Sequence, residues 1–126
     1  MHYTFAQAQD HLRAELFGRQ TAEEALTFVE ALAAEARHNA ATRVLVWVRN
    51  SRPIFKFDAV RVSDSFKQLA ARKVRVALLA DSEELRASHQ YIEVLAAQQG
   101  ARLRAFRDEA RALAWLRAVA SAQSQE

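Results

Sequence analysis

Two short segments with alternating polarity open the chain. Segments 2–6 (HYTFA) and 11–18 (HLRAELFG) flank a polar turn, and Leu12, Ala14 and Leu16 alternate with polar residues in the second. A period of two is typical of a strand that is buried on one face only. The pattern therefore predicts an antiparallel hairpin with its other face exposed.

Three more strands are predicted from apolar runs. Segments 43–48 (RVLVWV) and 73–80 (KVRVALLA) are apolar on both faces, which is typical of central strands covered on each side. Segment 101–106 (ARLRAF) alternates and is expected to be an edge strand. Trp47 and Trp115 are expected in the core, because apolar residues surround both.

Four helices are predicted from apolar residues that recur at three- and four-residue intervals and from capping signals. The first follows Gly18, is capped by Thr21 with Glu24, and reaches about His38. The others run from about Asp58 to about Arg72, from a cap at Asp81 with Glu84 to Gly100, and from Asp108 onward.

The resulting element order, ββαβαβαβα, predicts a single α/β domain. It is expected to contain a mainly parallel mixed sheet of about five strands with about four helices, and the hairpin antiparallel at one side. The 126 residues suffice for one hydrophobic core. We expect the domain to span residues 1–120 and the tail 121–126 (SAQSQE) to fray.

Composition excludes several kinds of chemistry. The chain has no cysteine, so disulfides, thiolate metal sites and thiol nucleophiles are excluded. No apolar run approaches the roughly 18 residues of a membrane span, and segment 1–10 lacks the pattern of an export signal. These features predict a cytoplasmic protein without a membrane span.

Catalytic signals are lacking as well. No residue set resembles a nucleophile elbow, and the two glycines lie at element ends rather than in a phosphate-binding loop. Acidic pairs fall in first helical turns, where carboxylates cap helices. The histidines, which show no metal-ligand spacing, are His2, His11, His38 and His89. We expect no enzyme activity, no catalytic residue, no metal site and no cofactor.

The connection after segment 43–48 is the candidate functional surface. It holds the chain's one proline, which fixes the backbone and favours an extended residue before it, so a stiff, projecting segment is expected. At least one of Ile54, Phe55 and Phe57 is expected to be exposed for a partner, a ligand or a second copy. The candidate surface comprises Arg49, Asn50, Ser51, Arg52, Pro53, Ile54, Phe55, Lys56, Phe57 and Asp58.

Positive charge accumulates in the same region, although the whole chain carries only +3. In an open α/β sheet, ligands favour the crevice beyond the carboxyl ends of strands, so an anionic partner or a small phosphate or carboxylate ligand is one interpretation. Solvated helix charges are the other. No recognition helix or stacking platform is present, so sequence-specific nucleic-acid binding is not expected. The basic residues are Arg49, Arg52, Lys56, Arg61, Lys67, Arg72, Lys73 and Arg75.

The strand RVLVWVRNS, the helix start ADSEEL and the closing LRAFRDEARALAWL together resemble the SpoIIAA-like family of small bacterial proteins. That family is related to STAS domains and, in structure, to CRAL-TRIO/SEC14 lipid carriers. In regulatory STAS proteins a phosphorylatable serine begins the helix after the central strand. Ala59 and Val60 stand at that place here, whereas Ser51 lies too early and Ser63 and Ser65 lie inside the predicted helix. The resemblance thus implies a module without the phosphorylation switch.

Two hypotheses follow. The leading one is a non-enzymatic SpoIIAA/STAS-like interaction or regulatory module that binds a protein partner or itself, as a homodimer, around residues 49–66. The alternative is a carrier or sensor of a small apolar or anionic ligand, as the SEC14 relationship implies. One solid core consumes most of a chain of this size, which weighs against the carrier.

Overall fold

Five strands form one sheet in which their spatial order follows their order in the chain. The computed structural model describes residues 1–118, so the predicted fraying of 121–126 lies outside the described residues. The first two strands are antiparallel and the other pairs are parallel, which confirms the predicted fold class. The strands are β1 (His2–Gln7), β2 (Leu12–Phe17), β3 (Arg43–Arg49), β4 (Arg75–Ala80) and β5 (Arg102–Phe106).

The helices are α1 (Ala22–His38), α2 (Ala59–Ala71), α3 (Glu83–Ala97) and α4 (Glu109–Arg117). Thr21, Asp58 and Asp108 cap three of them through their side chains, as the sequence predicts. The predicted cap of α3 was wrong. Ser82, not Asp81, accepts a hydrogen bond there, from the backbone N–H of Leu85. None of the helices within residues 1–118 combines the length and apolarity needed to cross a membrane.

The sheet separates two apolar layers. Val44, Val46 and Val48 of β3 belong to the larger cluster, which also includes residues of α1, α2 and α3. Leu45 of the same strand lies in a smaller cluster with residues of α4. Strand residues alternate between the faces, so one strand supplies both layers. Three helices therefore cover one face, and α4 covers part of the other.

The prediction that the two tryptophans lie in the core is met only in part, because both pack against the smaller cluster without being fully buried. Trp47 and Trp115 are both half-buried at the margin of the α4 layer. The Trp47 indole N–H donates to a carboxylate oxygen of Glu109 at 2.8 Å. Because α4 is short and covers only part of its face, these large side chains remain partly open to solvent.

Candidate functional site

The connection 50–58 between β3 and α2 lies against the domain rather than projecting from it, so that prediction was wrong. The Arg52 N–H donates to the Arg19 carbonyl oxygen at 2.8 Å. The Arg19 guanidinium donates back to the Arg52 carbonyl oxygen, also at 2.8 Å. The Arg19 N–H additionally donates to the Ser51 hydroxyl at 3.1 Å. These bonds hold the connection to the turn between β2 and α1.

The start of the connection is also hydrogen-bonded to the turn between β4 and α3. Asn50 adopts a left-handed conformation with φ of 48°, which asparagine tolerates better than most residues. Its N–H donates to the Asp81 carboxylate at 2.9 Å. Asp81, predicted to cap α3, instead anchors the connection after β3.

Exposure differs sharply among the three bulky residues of the connection. Ile54 is buried and Phe57 is half-buried, whereas 57% of Phe55 is exposed. The expectation that at least one of them is exposed is therefore confirmed, for Phe55. Phe55 and Phe57 both contact Tyr91 of α3, with ring centroids 6.4 and 6.1 Å away. Val94, one helical turn after Tyr91, is 58% exposed. We call Phe55, Phe57, Tyr91 and Val94 the aromatic patch.

The basic residues of segment 49–75 do not form one charged surface. Arg75 is buried, and its guanidinium donates to the Trp115 carbonyl oxygen at 2.7 Å, which satisfies the carboxyl end of α4. Lys73 precedes β4, at the opposite end of the sheet from Arg52 and Lys56, which follow β3. The charge excess along the chain is thus divided between two ends of the molecule.

Two other basic residues of segment 49–75 form ion pairs with carboxylates. Arg61 pairs with Glu23 of α1. Arg49 lies 3.6 Å from the Glu15 carboxylate, and its guanidinium carbon is 4.2 Å from the centroid of the Trp47 ring. Arg52 and Lys56 are exposed cations of the connection, three residues before and one residue after Phe55 in the chain. The sequential strand order also contains no reversal, so the crevice argument for a ligand at the strand ends does not apply.

A second feature, which the sequence interpretation missed, is a small cavity of about 40 Å³ beneath the connection. Apolar side chains from the sheet, the three helices of the larger layer and the connection line it, together with Arg19 and His89. Arg19 is 3% exposed and His89 is 1% exposed. His89 lies four residues after Leu85 and three before Ile92, so the helical period places it on the inward face of α3. This spacing could have predicted its burial from the sequence.

Neither buried side chain is fully paired. Within residues 1–118 neither the Arg19 Nε nor either ring nitrogen of His89 has a hydrogen-bond partner. Burial lowers the pKa of Arg19 to about 10, against a smaller opposing effect of Glu24. Burial and the Arg19 charge lower the pKa of His89 to about 3. At neutral pH the cavity therefore holds a guanidinium cation and a neutral imidazole.

In the described part of the chain, no three His, Cys, Asp or Glu side chains lie close enough together to bind a metal ion. Arg19 and His89 are not joined by a carboxylate or thiol, so the donor set of the cavity suits an anion rather than a cation.

No protein-family model matches the chain, and no curated protein is significantly similar to it. The resemblance to the SpoIIAA-like family consequently stays a prediction, as do the cytoplasmic location and the lack of enzyme activity.

Proposed function

We propose that this domain is a non-enzymatic protein-interaction module of the SpoIIAA/STAS-like kind, without a phosphorylatable serine, and that it acts in the cytoplasm. Its contact surface is the aromatic patch with the flanking Arg52 and Lys56. The partner is a protein with an apolar contact surface that carries carboxylates at its edge.

The exposure of Phe55 carries this proposal. Its side chain lies in water over more than half of its area although Ile54, the preceding residue, is buried. Burying the exposed ring in an interface would release apolar surface from water, at about 25 cal/mol per Å². Aromatic side chains are also enriched among the residues that contribute most to binding.

The patch is held in place before any partner arrives. Tyr91 supports both phenylalanine rings from the regular helix α3. The backbone of Arg52 is bonded twice to Arg19, so the segment that carries Phe55 is fixed near its start. A contact residue that is already ordered loses less conformational entropy on binding, which favours recognition.

The exposed cations define the charge of the partner. Arg52 and Lys56 flank Phe55 in the connection, whereas other basic residues are paired with carboxylates or lie elsewhere. Cations at the edge of an apolar contact mainly raise the association rate and select the partner. We expect binding to weaken as salt concentration rises.

The alternative hypothesis, that the domain carries a lipid, is less well supported. Sites for drug-sized ligands have volumes of roughly 300–1,000 Å³. The cavity of about 40 Å³ is far smaller than that range. A lipid chain would require the core between the sheet and three helices to open.

Site-specific photo-crosslinking in cells tests the proposal. A photoreactive amino acid at Lys56 should crosslink to a protein, and the same group at Arg111 of α4, an exposed control, should not. Phe55→Ser should abolish the Lys56 crosslink. Val60→Ser should preserve the Lys56 crosslink. Val60 is also an exposed apolar residue, at 84%, but it borders a groove beside Glu30.

The mass of the crosslinked product separates the outcomes. A product with a different protein supports a heterologous partner, and a product of twice the chain mass identifies a homodimer. A Lys56 product that survives Phe55→Ser, or no product from Lys56, would refute the interaction surface.

A further inference from the structure

Arg19 and His89 form a polar pair inside an otherwise apolar cavity. Arg19 comes from the turn after β2, and His89 comes from the middle of α3. They are close enough for the Arg19 charge to lower the pKa of His89. Two distant parts of the chain thus place a cation and a neutral imidazole at one internal site.

This arrangement is costly for a residue pair that serves only packing. A buried charge ordinarily has a counter-charge, and an unpaired polar atom inside a protein costs roughly 1–3 kcal/mol. The Arg19 guanidinium has one bond, to the Arg52 carbonyl, whereas its Nε has no partner among residues 1–118. Glu24, the carboxylate that acts on its charge, accepts a hydrogen bond from the Gln20 N–H. Arg19 therefore retains an unused donor, and Glu24 compensates its charge only in part.

We infer that the cavity binds a monocarboxylate of one or two carbons, formate or acetate, whose carboxylate group meets Arg19 and His89 and whose hydrogen or methyl group contacts the apolar lining. The Arg19 Nε–H and the one N–H of neutral His89 both donate hydrogen bonds to carboxylate oxygens. Leu32, Val48 and Ile92 line the same cavity and provide apolar contacts.

The cavity limits the length of the ligand. A water molecule needs roughly 10–15 Å³ of such volume, so about 40 Å³ accommodates about three water-sized groups. Formate has three non-hydrogen atoms and acetate has four, so a carboxylate of one or two carbons fits, whereas butyrate, with six, does not. A phosphate or sulfate ion is disfavoured, because its additional oxygens would face apolar side chains without donors.

The ligand has a short route from solvent. Val29 and Phe57 are half-buried, whereas the remaining lining residues are buried. Phe57 also belongs to the aromatic patch, so entry occurs between α1 and the connection 50–58. The inference does not depend on the proposed protein partner, because it rests on the cavity alone.

Methyl NMR of the full chain during a titration with sodium acetate tests the inference. Methyl signals of Leu32, Val48 and Ile92 should shift in a saturable way, while those of Leu116, buried on the opposite face, should not. Sodium chloride at equal ionic strength and acetamide, a neutral amide of the same size, are the controls for ionic strength and for the carboxylate charge. Formate and acetate should bind, and propionate and butyrate should bind more weakly than acetate, because about 40 Å³ does not hold their longer chains.

Variants identify the residues responsible. Arg19→Met should weaken acetate binding at least tenfold, and Arg75→Met, which replaces a buried arginine beneath α4, should leave it unchanged. Ala25→Val fills part of the cavity without changing its charge, so it should weaken acetate more than formate.

Three results would overturn the inference: equal shifts with acetamide, unchanged acetate affinity in Arg19→Met, or no saturable shift with acetate in the wild type. If Arg19→Met does not fold, the series from formate to butyrate in the wild type and the Ala25→Val variant decide the question. These readouts do not involve Phe55, so failure here is distinguishable from failure of the interaction surface.

Discussion

The Arg19 guanidinium and the Arg52 carbonyl oxygen are joined by a 2.8 Å hydrogen bond. Through this bond one buried side chain supports the connection that presents Phe55, while its Nε remains available to the cavity. The two proposed sites are thus linked through Arg19, and Phe57 belongs to both. They differ in accessibility, since Phe55 is exposed and the cavity lies within the core.

Replacement of Arg19 by methionine is expected to change the free energy of unfolding by less than about 1 kcal/mol. The lowered pKa of about 10 corresponds to a burial cost of about 3 kcal/mol for the charge, which the substitution removes. The lost hydrogen bond to Arg52 offsets it by about 1.5–3 kcal/mol. Urea unfolding followed by circular dichroism measures the difference.

Arg75→Met is the matched control, because Arg75 is also a buried arginine. Its guanidinium bonds the Trp115 carbonyl oxygen at the end of α4, so we expect a loss of about 2 kcal/mol. A loss above about 3 kcal/mol in Arg19→Met would show that Arg19 is a structural residue rather than a binding residue.

Stability should fall on mild acidification because of His89. Its pKa is lowered from 6.5 to about 3 in the folded state, so protons bind preferentially to the unfolded chain. The stabilising contribution is complete above about pH 6.5 and is lost as pH falls toward 3, with a slope of about 1.4 kcal/mol per pH unit. Urea unfolding at several pH values between 6.5 and 5 measures this slope. Most carboxylates titrate below this pH interval and contribute little to it.

His89→Gln should flatten the profile over that interval, while His38→Gln, at an exposed position, should leave it unchanged. An unchanged slope in His89→Gln would contradict the assignment of the pH dependence to His89.

Phe55 and Ile54 should respond oppositely to substitution by serine. Phe55→Ser is expected to change stability by less than about 0.5 kcal/mol, because the ring is 57% exposed. Ile54→Ser is expected to cost about 2–4 kcal/mol, because Ile54 is 8% exposed and belongs to the core. Thermal melts measure both effects. Equal losses in the two variants would show that Phe55 packs structurally.

The junction between α4 and the sheet depends on Glu109. The Trp47 indole N–H and the Arg13 guanidinium both donate to its carboxylate, at 2.8 and 3.2 Å, and lower its pKa. Glu109→Ala should cost about 1 kcal/mol, whereas Glu109→Gln, which keeps an acceptor for Trp47, should cost less. Urea unfolding compares them with Glu84→Ala, a control on α3. Equal stability of all three variants would exclude a contribution from this junction.

The fold could be predicted in detail because its determinants are local. Alternation of Leu12, Ala14 and Leu16 specified a one-sided strand, and the apolar run 43–48 specified a central one. Thr21, Asp58 and Asp108 marked helix starts through hydrogen bonds that span at most three residues. Where two capping residues adjoin, as at Asp81 and Ser82, local pattern could not decide between them, since Asp81 bonds a residue 31 positions away.

The candidate site required the tertiary structure, because it is assembled from residues far apart in the chain. Sequence identified the connection 50–58 and the exposure of at least one of its apolar residues, which Phe55 fulfils. It could not show that Arg19, 33 positions from Arg52, holds the connection down, or that Arg75 is buried beneath α4. Nor could it place His89 beside Arg19, because charge and burial at a site depend on what packs around it. Local hydrogen bonding and periodicity determined the elements, whereas long-range packing decided which polar groups are left to act.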